Sequence, residues 1–169
     1  MTSSGVSRRW FLGAVAFFAV GCRYGGRGEG TSAAPDHRPG EPVHVADARA
    51  YLVAVPEAQR ASLLELLPEP LHAGVRAGVL ALSQRCPEDG CRVPFCRSSG
   101  WFECGCHGQH FTELGALRKG RAAHGLDMFP VSIDDDEQVV IDTSRRIRGL
   151  DPGTYDTEAE PVGPHCVSG

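Results

Sequence analysis

The chain has 169 residues, of which 41% are hydrophobic and 22% charged, with a formal net charge of -4. That length leaves room for one domain of ordinary size with a single core. The acidic balance argues against a nucleic-acid partner, which would need a clustered basic face.

The chain opens with Ser7-Arg8-Arg9-Trp10-Phe11-Leu12-Gly13, a twin-arginine signal, and continues into the apolar run Ala14 to Val20. A transmembrane anchor is the competing reading, yet Trp10 to Gly21 is about twelve residues where a span needs roughly twenty. Residues 1–21 are therefore assigned to a signal peptide. Twin-arginine export moves folded proteins, which suits a protein whose cofactor is inserted before it crosses the membrane. Ala19-Val20-Gly21-Cys22 also resembles a lipobox, with Ala19 where Leu is more usual. Two outcomes stay open at Cys22. Lipidation would tether the mature chain to the outer face of the cytoplasmic membrane or leave it membrane-bound in a periplasm; ordinary cleavage would discard Cys22 or leave it as a spare thiol.

Residues 22–42 are rich in Gly, Ser, Pro and charge, the composition of a flexible tether. From there the pattern predicts short elements in close succession. Ala50 to Val55 suits a buried strand. Pro56-Glu57-Ala58 opens a helix whose apolar side is Leu63, Leu64, Leu66 and Leu67, stopped by Pro68 and Pro70. Gly78 to Ser83 is a second strand, leading straight to Cys86. Phe102-Glu103 is a short strand delivering Cys104. Phe129 to Ile133, the turn Asp134-Asp135-Asp136, and Gln138 to Asp142 form a hairpin. Arg145, Arg146 and Arg148 read as a solvated loop. The expected class is all-β with small α content, built as antiparallel strands.

Two Cys-bearing loops stand between these elements: Cys86-Pro87-Glu88-Asp89-Gly90-Cys91, and Cys104-Gly105-Cys106-His107-Gly108-Gln109-His110-Phe111. Each is rich in Gly or Pro, as suits hairpin tips that pinch a metal centre between them. The boxes resemble those of Rieske iron-sulfur proteins, Cys-x-His-x-Gly-Cys followed by Cys-x-Cys-His-Gly. The flanks Ala50-Tyr51-Leu52-Val53, Pro68-Glu69-Pro70-Leu71, Arg92-Val93-Pro94-Phe95-Cys96, Trp101-Phe102-Glu103-Cys104 and Gly163-Pro164-His165-Cys166 are most similar to Rieske subunits of actinobacterial-type quinol:cytochrome c reductases.

The resemblance implies a Rieske-type domain over residues 43–169, with a cluster-binding subdomain of two loops within 86–111. It implies a 2Fe-2S cluster with Cys86 and Cys104 on one iron and His107 on the other, and a disulfide between Cys91 and Cys106. The family's first-box His is Glu88 here, which makes Glu88 the fourth candidate ligand. The implied activity is that of an electron-transfer subunit of an oxidoreductase, taking electrons from quinol and passing them to a cytochrome-type partner in a membrane complex. His107 would meet the quinol, since a neutral imidazole on oxidised iron can accept a proton as the electron arrives. Family clusters span about -150 to +300 mV. A Glu88 carboxylate would lower that potential, and so would Gln109 and Phe111, which stand where Ser and Tyr hydroxyls are usual. The loop usually written Gly-Pro-Ala-Pro is Gly120-Arg121-Ala122-Ala123 and lacks its stiffening prolines.

Seven cysteines is an odd number for an exported chain. With Cys22, Cys86, Cys104, Cys91 and Cys106 allotted, Cys96 and Cys166 remain and suit a disulfide that pins a polar tail. Their alternatives are two unrelated thiols, or Cys96 as a replacement ligand. His110 is expected to pack or be solvated, and it is the nearest imidazole in sequence to the missing ligand. Two further readings of the site stay open: a single zinc or iron ion held by Cys86, Glu88, Cys104 and His107, or a degenerate domain that binds no metal and serves assembly.

Overall fold

The computed structural model describes residues 41–135, 138–156 and 158–168. The signal sequence and Cys22, nearly all of the tether, and Asp136 of the hairpin turn lie outside them. Among the described residues no helix is long and apolar enough to cross a membrane.

Among the described residues ten short strands, two α-helices and one 3-10 turn (Glu69–Leu71) follow: β1 Val43–Val45, β2 Ala50–Ala54, α1 Glu57–Leu66, α2 His72–Ala77, β3 Val79–Ser83, β4 Phe95–Cys96, β5 Trp101–Cys104, β6 Gln109–Phe111, β7 Leu117–Lys119, β8 Met128–Phe129, β9 Val131–Ile133 and β10 Val139–Ile141. They form two four-stranded antiparallel sheets, β1-β2-β3-β8 and β4-β5-β6-β7, and the hairpin β9-β10. The fold is thus mostly antiparallel β with little helix.

The uninterrupted apolar run of β2 is explained by cover on both faces. Tyr51 and Val53 join Leu80, Leu82, Phe102, Phe111 and Leu126 in the main core, which also takes Leu63, Leu67, Leu71 and Val75 from the helical segment. Ala50 and Leu52 face the other way, onto Phe129, Val131, Val139 and Ile141. The main core therefore spans both large sheets and holds Cys86 and Cys104 among its members. Placing the two thiols in the core gives their loops a rigid base.

Three local expectations change. Leu66 is 42% exposed, because the helix turns Leu63 and Leu67 inward and leaves the position between them facing water. Pro56 caps α1 from outside rather than occupying its first turn. The predicted strand Phe129 to Ile133 is broken at Pro130, which has no N–H to give a ladder. Met128 and Phe129 pair with β3, while Val131 to Ile133 pair with β10. Helix α2 ends on Gly78 in the left-handed region (φ 81°). Arg146 and Arg148 are tied down, the first to Asp127 and the second to Asp151 and the Ala123 carbonyl.

The C-terminal tail returns to the β4–β5 turn. Cys96 and Cys166 are bonded, Ser98 Oγ donates to the Pro164 carbonyl at 2.7 Å, and the Val162 amide donates to the Ser99 carbonyl. A Cβ at residue 163 would sit 2.6 Å from the Ser98 carbonyl oxygen, so only glycine lets the tail lie this close. Because the Cys96–Cys166 bond closes a loop of roughly seventy residues, Cys166→Ser should lower unfolding stability by up to about 4 kcal/mol in non-reducing denaturant titrations. An unchanged midpoint would mean the disulfide contributes nothing to the stability of the fold.

Candidate metal centre

The first loop leaves β3 and closes on itself. Arg85 bridges Arg92, the Cys86 amide donates to the Cys91 carbonyl at 2.8 Å, and the Gly90 amide donates to the Cys86 carbonyl at 2.9 Å. Gly90 (φ 70°) makes that return possible. The second loop is the tip of the β5–β6 hairpin. Cys104 pairs with Gln109 in register, and the Gly108 amide donates to the Cys104 carbonyl. A disulfide between Cys91 and Cys106 ties the two tips together.

This arrangement brings two free, buried thiols together, Cys86 at 3% exposure and Cys104 at 0%. Burial pushes the Cys86 thiol up to about 11; the Glu88 and Asp89 amides, which donate to its sulfur, oppose that rise, and the neighbouring Cys104 thiol adds to it. Two adjacent thiols in an apolar setting, one of them aimed at by backbone N–H groups, suit conversion to metal thiolates, with the protons released on binding. Cys104 Sγ also lies within 4.8 Å of both sulfurs of the Cys91–Cys106 bond.

A second donor set sits beside them. His107 Nδ1 is 3.5 Å from Glu88 Oε2 and 2.9 Å from Asp89 Oδ2, and Arg121 Nη2 is 3.1 Å from Glu88 Oε1. The ligand atoms of Glu88, Asp89 and His107 fall within 4.8 Å of one another, and the two thiols are not part of that set. Asp89 was not among the residues singled out from sequence. Its only signal is its place next to Glu88.

Two buried polar atoms here have no hydrogen-bond partner: Glu88 Oε2 and Gln109 Nε2. Gln109 is fully buried and its Oε1 lies 3.7 Å from Cys86 Sγ. Gly120 accommodates it, because a Cβ there would meet Gln109 Cγ at 2.3 Å. An unpaired buried acceptor and an unpaired buried donor are costly; the first stands beside His107, and the second belongs to the carboxamide beside the Cys86 thiol. The donor chemistry therefore fits an inorganic centre that takes two thiolates on one side and an imidazole plus a carboxylate oxygen on the other. Donor atoms held 2.0–2.2 Å from a tetrahedral ion lie about 3.4 Å apart, close to the 3.5 Å between His107 Nδ1 and Glu88 Oε2.

Residues 43–130 match the model of the Rieske [2Fe-2S] domain. The chain belongs to that family. Similar curated proteins are cytochrome b6-f complex iron-sulfur subunits, one from Synechococcus sp. strain CC9605, 28% identical over 80% of this chain and 85% of that one, and one from Prochlorococcus marinus strain MIT 9312, 32% identical over 82% of this chain and 77% of that one. Among solved structures, the cyanobacterial plasma membrane Rieske protein from Synechocystis PCC 6803 aligns with 61% of this chain and 86% of its own, at 20% identity and a TM-score of 0.41. The protein is thus a Rieske-type iron-sulfur protein related to cytochrome b6-f iron-sulfur subunits.

A second His and carboxylate cluster lies where the tail docks. Glu103 is fully buried on β5 and accepts from Ser99 Oγ (2.6 Å), His165 Nδ1 (2.7 Å) and the Val167 amide (2.8 Å). His110 is buried too, with its ring 4.0 Å from that of His165 and its Nε2 3.1 Å from the Val167 carbonyl. These contacts account for His110, which is packed at the tail rather than offered to the Cys86 loop. Burial tends to raise the Glu103 carboxyl, but the donors Ser99, His165, Val167 and Cys166 outweigh it and hold it below the usual range. A lowered folded value means that Glu103 stabilises the fold above the unfolded carboxyl's pKa of about 4.3, and that this stability is lost as pH falls through the folded value. Chemical denaturation between pH 7 and pH 3 should therefore show a steeper loss for the native protein than for Glu103→Gln, and parallel curves would contradict this role.

Proposed function

We propose that the chain is an exported, membrane-tethered Rieske electron carrier that takes electrons from a quinol and passes them to a cytochrome c-type acceptor. Residues 1–21 act as its signal, 22–42 as its tether, and 43–169 as its cluster-bearing domain. Cys86 and Cys104 would hold one iron of a 2Fe-2S cluster, and His107 with Glu88 would hold the other. The observation that carries this reading is that two disulfide-linked loops carry both a pair of buried free thiols and, as a separate set, His107 Nδ1 within 3.5 Å of Glu88 Oε2. The separation of the donors into a sulfur set and a His/carboxylate set favours a two-iron centre over one tetrahedral ion. The relatives' membership in cytochrome b6-f complexes supports a place in a membrane complex.

When bound, the cluster supplies a one-electron acceptor. The protein's own residues do the rest. The His107 ring is 44% exposed; with Nδ1 facing inward a neutral ring carries its proton on Nε2, so Nε2 donates to a quinol oxygen, and it takes a quinol proton only after it has lost its own. The disulfide holds the tips together, and the apolar core beneath keeps water from the thiolates. With Cys86 a thiolate, the Gln109 carboxamide, which presents Oε1 to the protonated thiol, would turn by 180° to donate from Nε2 and so stabilise added negative charge.

Protein made in a host that assembles clusters should be red-brown, with two irons and two acid-labile sulfides, and should give a low-average-g electron spin resonance signal when reduced. Cys86→Ser or Cys104→Ser should abolish all three. Colourless, sulfide-free native protein would overturn the electron-carrier reading and leave the assembly or zinc-binding module in its place. Gln109→Leu should keep the cluster and lower its potential by the worth of one hydrogen bond, about 1 kcal/mol or on the order of 40 mV; an unmoved potential would remove Gln109 from the cluster's surroundings.

A further inference from the structure

Two features that sequence reading treated separately meet at this site. One is the carboxylate Glu88 at the first-box position, and the other is Arg121 in the loop Gly120-Arg121-Ala122-Ala123. Arg121 Nη2 stands 3.1 Å from Glu88 Oε1. The Arg121 side chain is 77% exposed and that of Glu88 19%, so as a surface ion pair this contact would add little to stability. Its backbone, however, is fixed on both sides. Gly120 (φ 113°) lies against Gln109 with no space for a side chain of its own, and Ala122 is buried in the main core. The loop therefore delivers the guanidinium to Glu88 without prolines.

The consequences fall on the two oxygens of Glu88. Arg121 engages Oε1, while Oε2 is left buried, unpartnered and 3.5 Å from His107 Nδ1. A carboxylate in place of a neutral imidazole brings one extra negative charge to this side of the centre, and the guanidinium brings one positive charge to the same group. Asp89, 50% exposed and 2.9 Å from His107 Nδ1, adds a negative charge that water screens.

We infer that Arg121 is a positioning residue for Glu88: it holds Oε1 so that Oε2 alone is offered as a ligand oxygen, and it offsets the carboxylate charge that would otherwise disfavour reduction. The inference rests on the electron-carrier reading above and assigns Arg121 a role in tuning the same centre.

The test compares native protein, Arg121→Gln, Arg121→Lys, Glu88→His and the double variant Glu88→His/Arg121→Gln, each purified with its cluster. The readouts are the midpoint potential, the rate of iron loss to a chelator and the denaturation midpoint. Arg121→Gln should shift the potential negative and release iron about 10-fold faster, with the denaturation midpoint unchanged. Arg121→Lys should recover most of the potential, because the charge returns without the planar fork. Once Glu88 is His, Arg121→Gln should shift the potential far less. Equal shifts with Glu88 and with His at position 88, or none in either, would overturn the inference while leaving the electron carrier intact. Native protein without iron and sulfide would overturn the electron-carrier reading, and this inference with it.

Discussion

The bond between Cys91 and Cys106 is the constraint on which the rest of the site depends. It joins a loop that leaves one sheet to a hairpin tip that belongs to the other, and each of the two joined loops carries one free buried thiol, Cys86 and Cys104. Burial inside the apolar core, with the Cys104 thiol beside it, pushes the Cys86 thiol up. A cation that replaces their protons turns the thiols into thiolates, which are acceptors for an N–H donor such as Gln109 Nε2, and gives a carboxylate oxygen such as Glu88 Oε2 a positive partner. The same geometry sets the imidazole of His107 at the outer side, half in water, where a hydrogen-bonding partner can reach it.

Charge balance is the second theme. A neutral imidazole and a carboxylate are different partners for iron, and the structure places a guanidinium on the carboxylate within 3.1 Å. Burial acts unevenly across the site: Glu88 and Gln109 are shielded enough for their unpartnered atoms to matter, whereas Asp89 and Arg121 remain largely solvated. Electrostatic effects of the exposed groups should thus appear in the potential sooner than in the stability.

Much of this was legible in sequence because metal donors must sit on short loops with few alternatives, and because strands buried on both faces write continuous apolar runs such as Ala50 to Ala54. What sequence did not show is of a different kind. Helix α2, His72 to Ala77, lacks an apolar stripe long enough to register. Pro130 divides one apparent strand between two sheets, since the pattern of side chains does not say which ladder receives them. The clamp of Glu103 by His165 and Val167, and the meeting of Arg121 with Glu88, join residues 62, 64 and 33 positions apart. Contacts at such separations are set by the fold alone.

The most direct test of the account is the coordination of the second iron. Pulsed electron spin resonance on reduced protein carrying nitrogen-15 histidine should resolve one strongly coupled ring nitrogen, from His107, with the remaining position taken by oxygen. Two coupled ring nitrogens would mean that another imidazole replaces Glu88, and none would mean that His107 does not touch the cluster; either result would contradict the mixed ligand set.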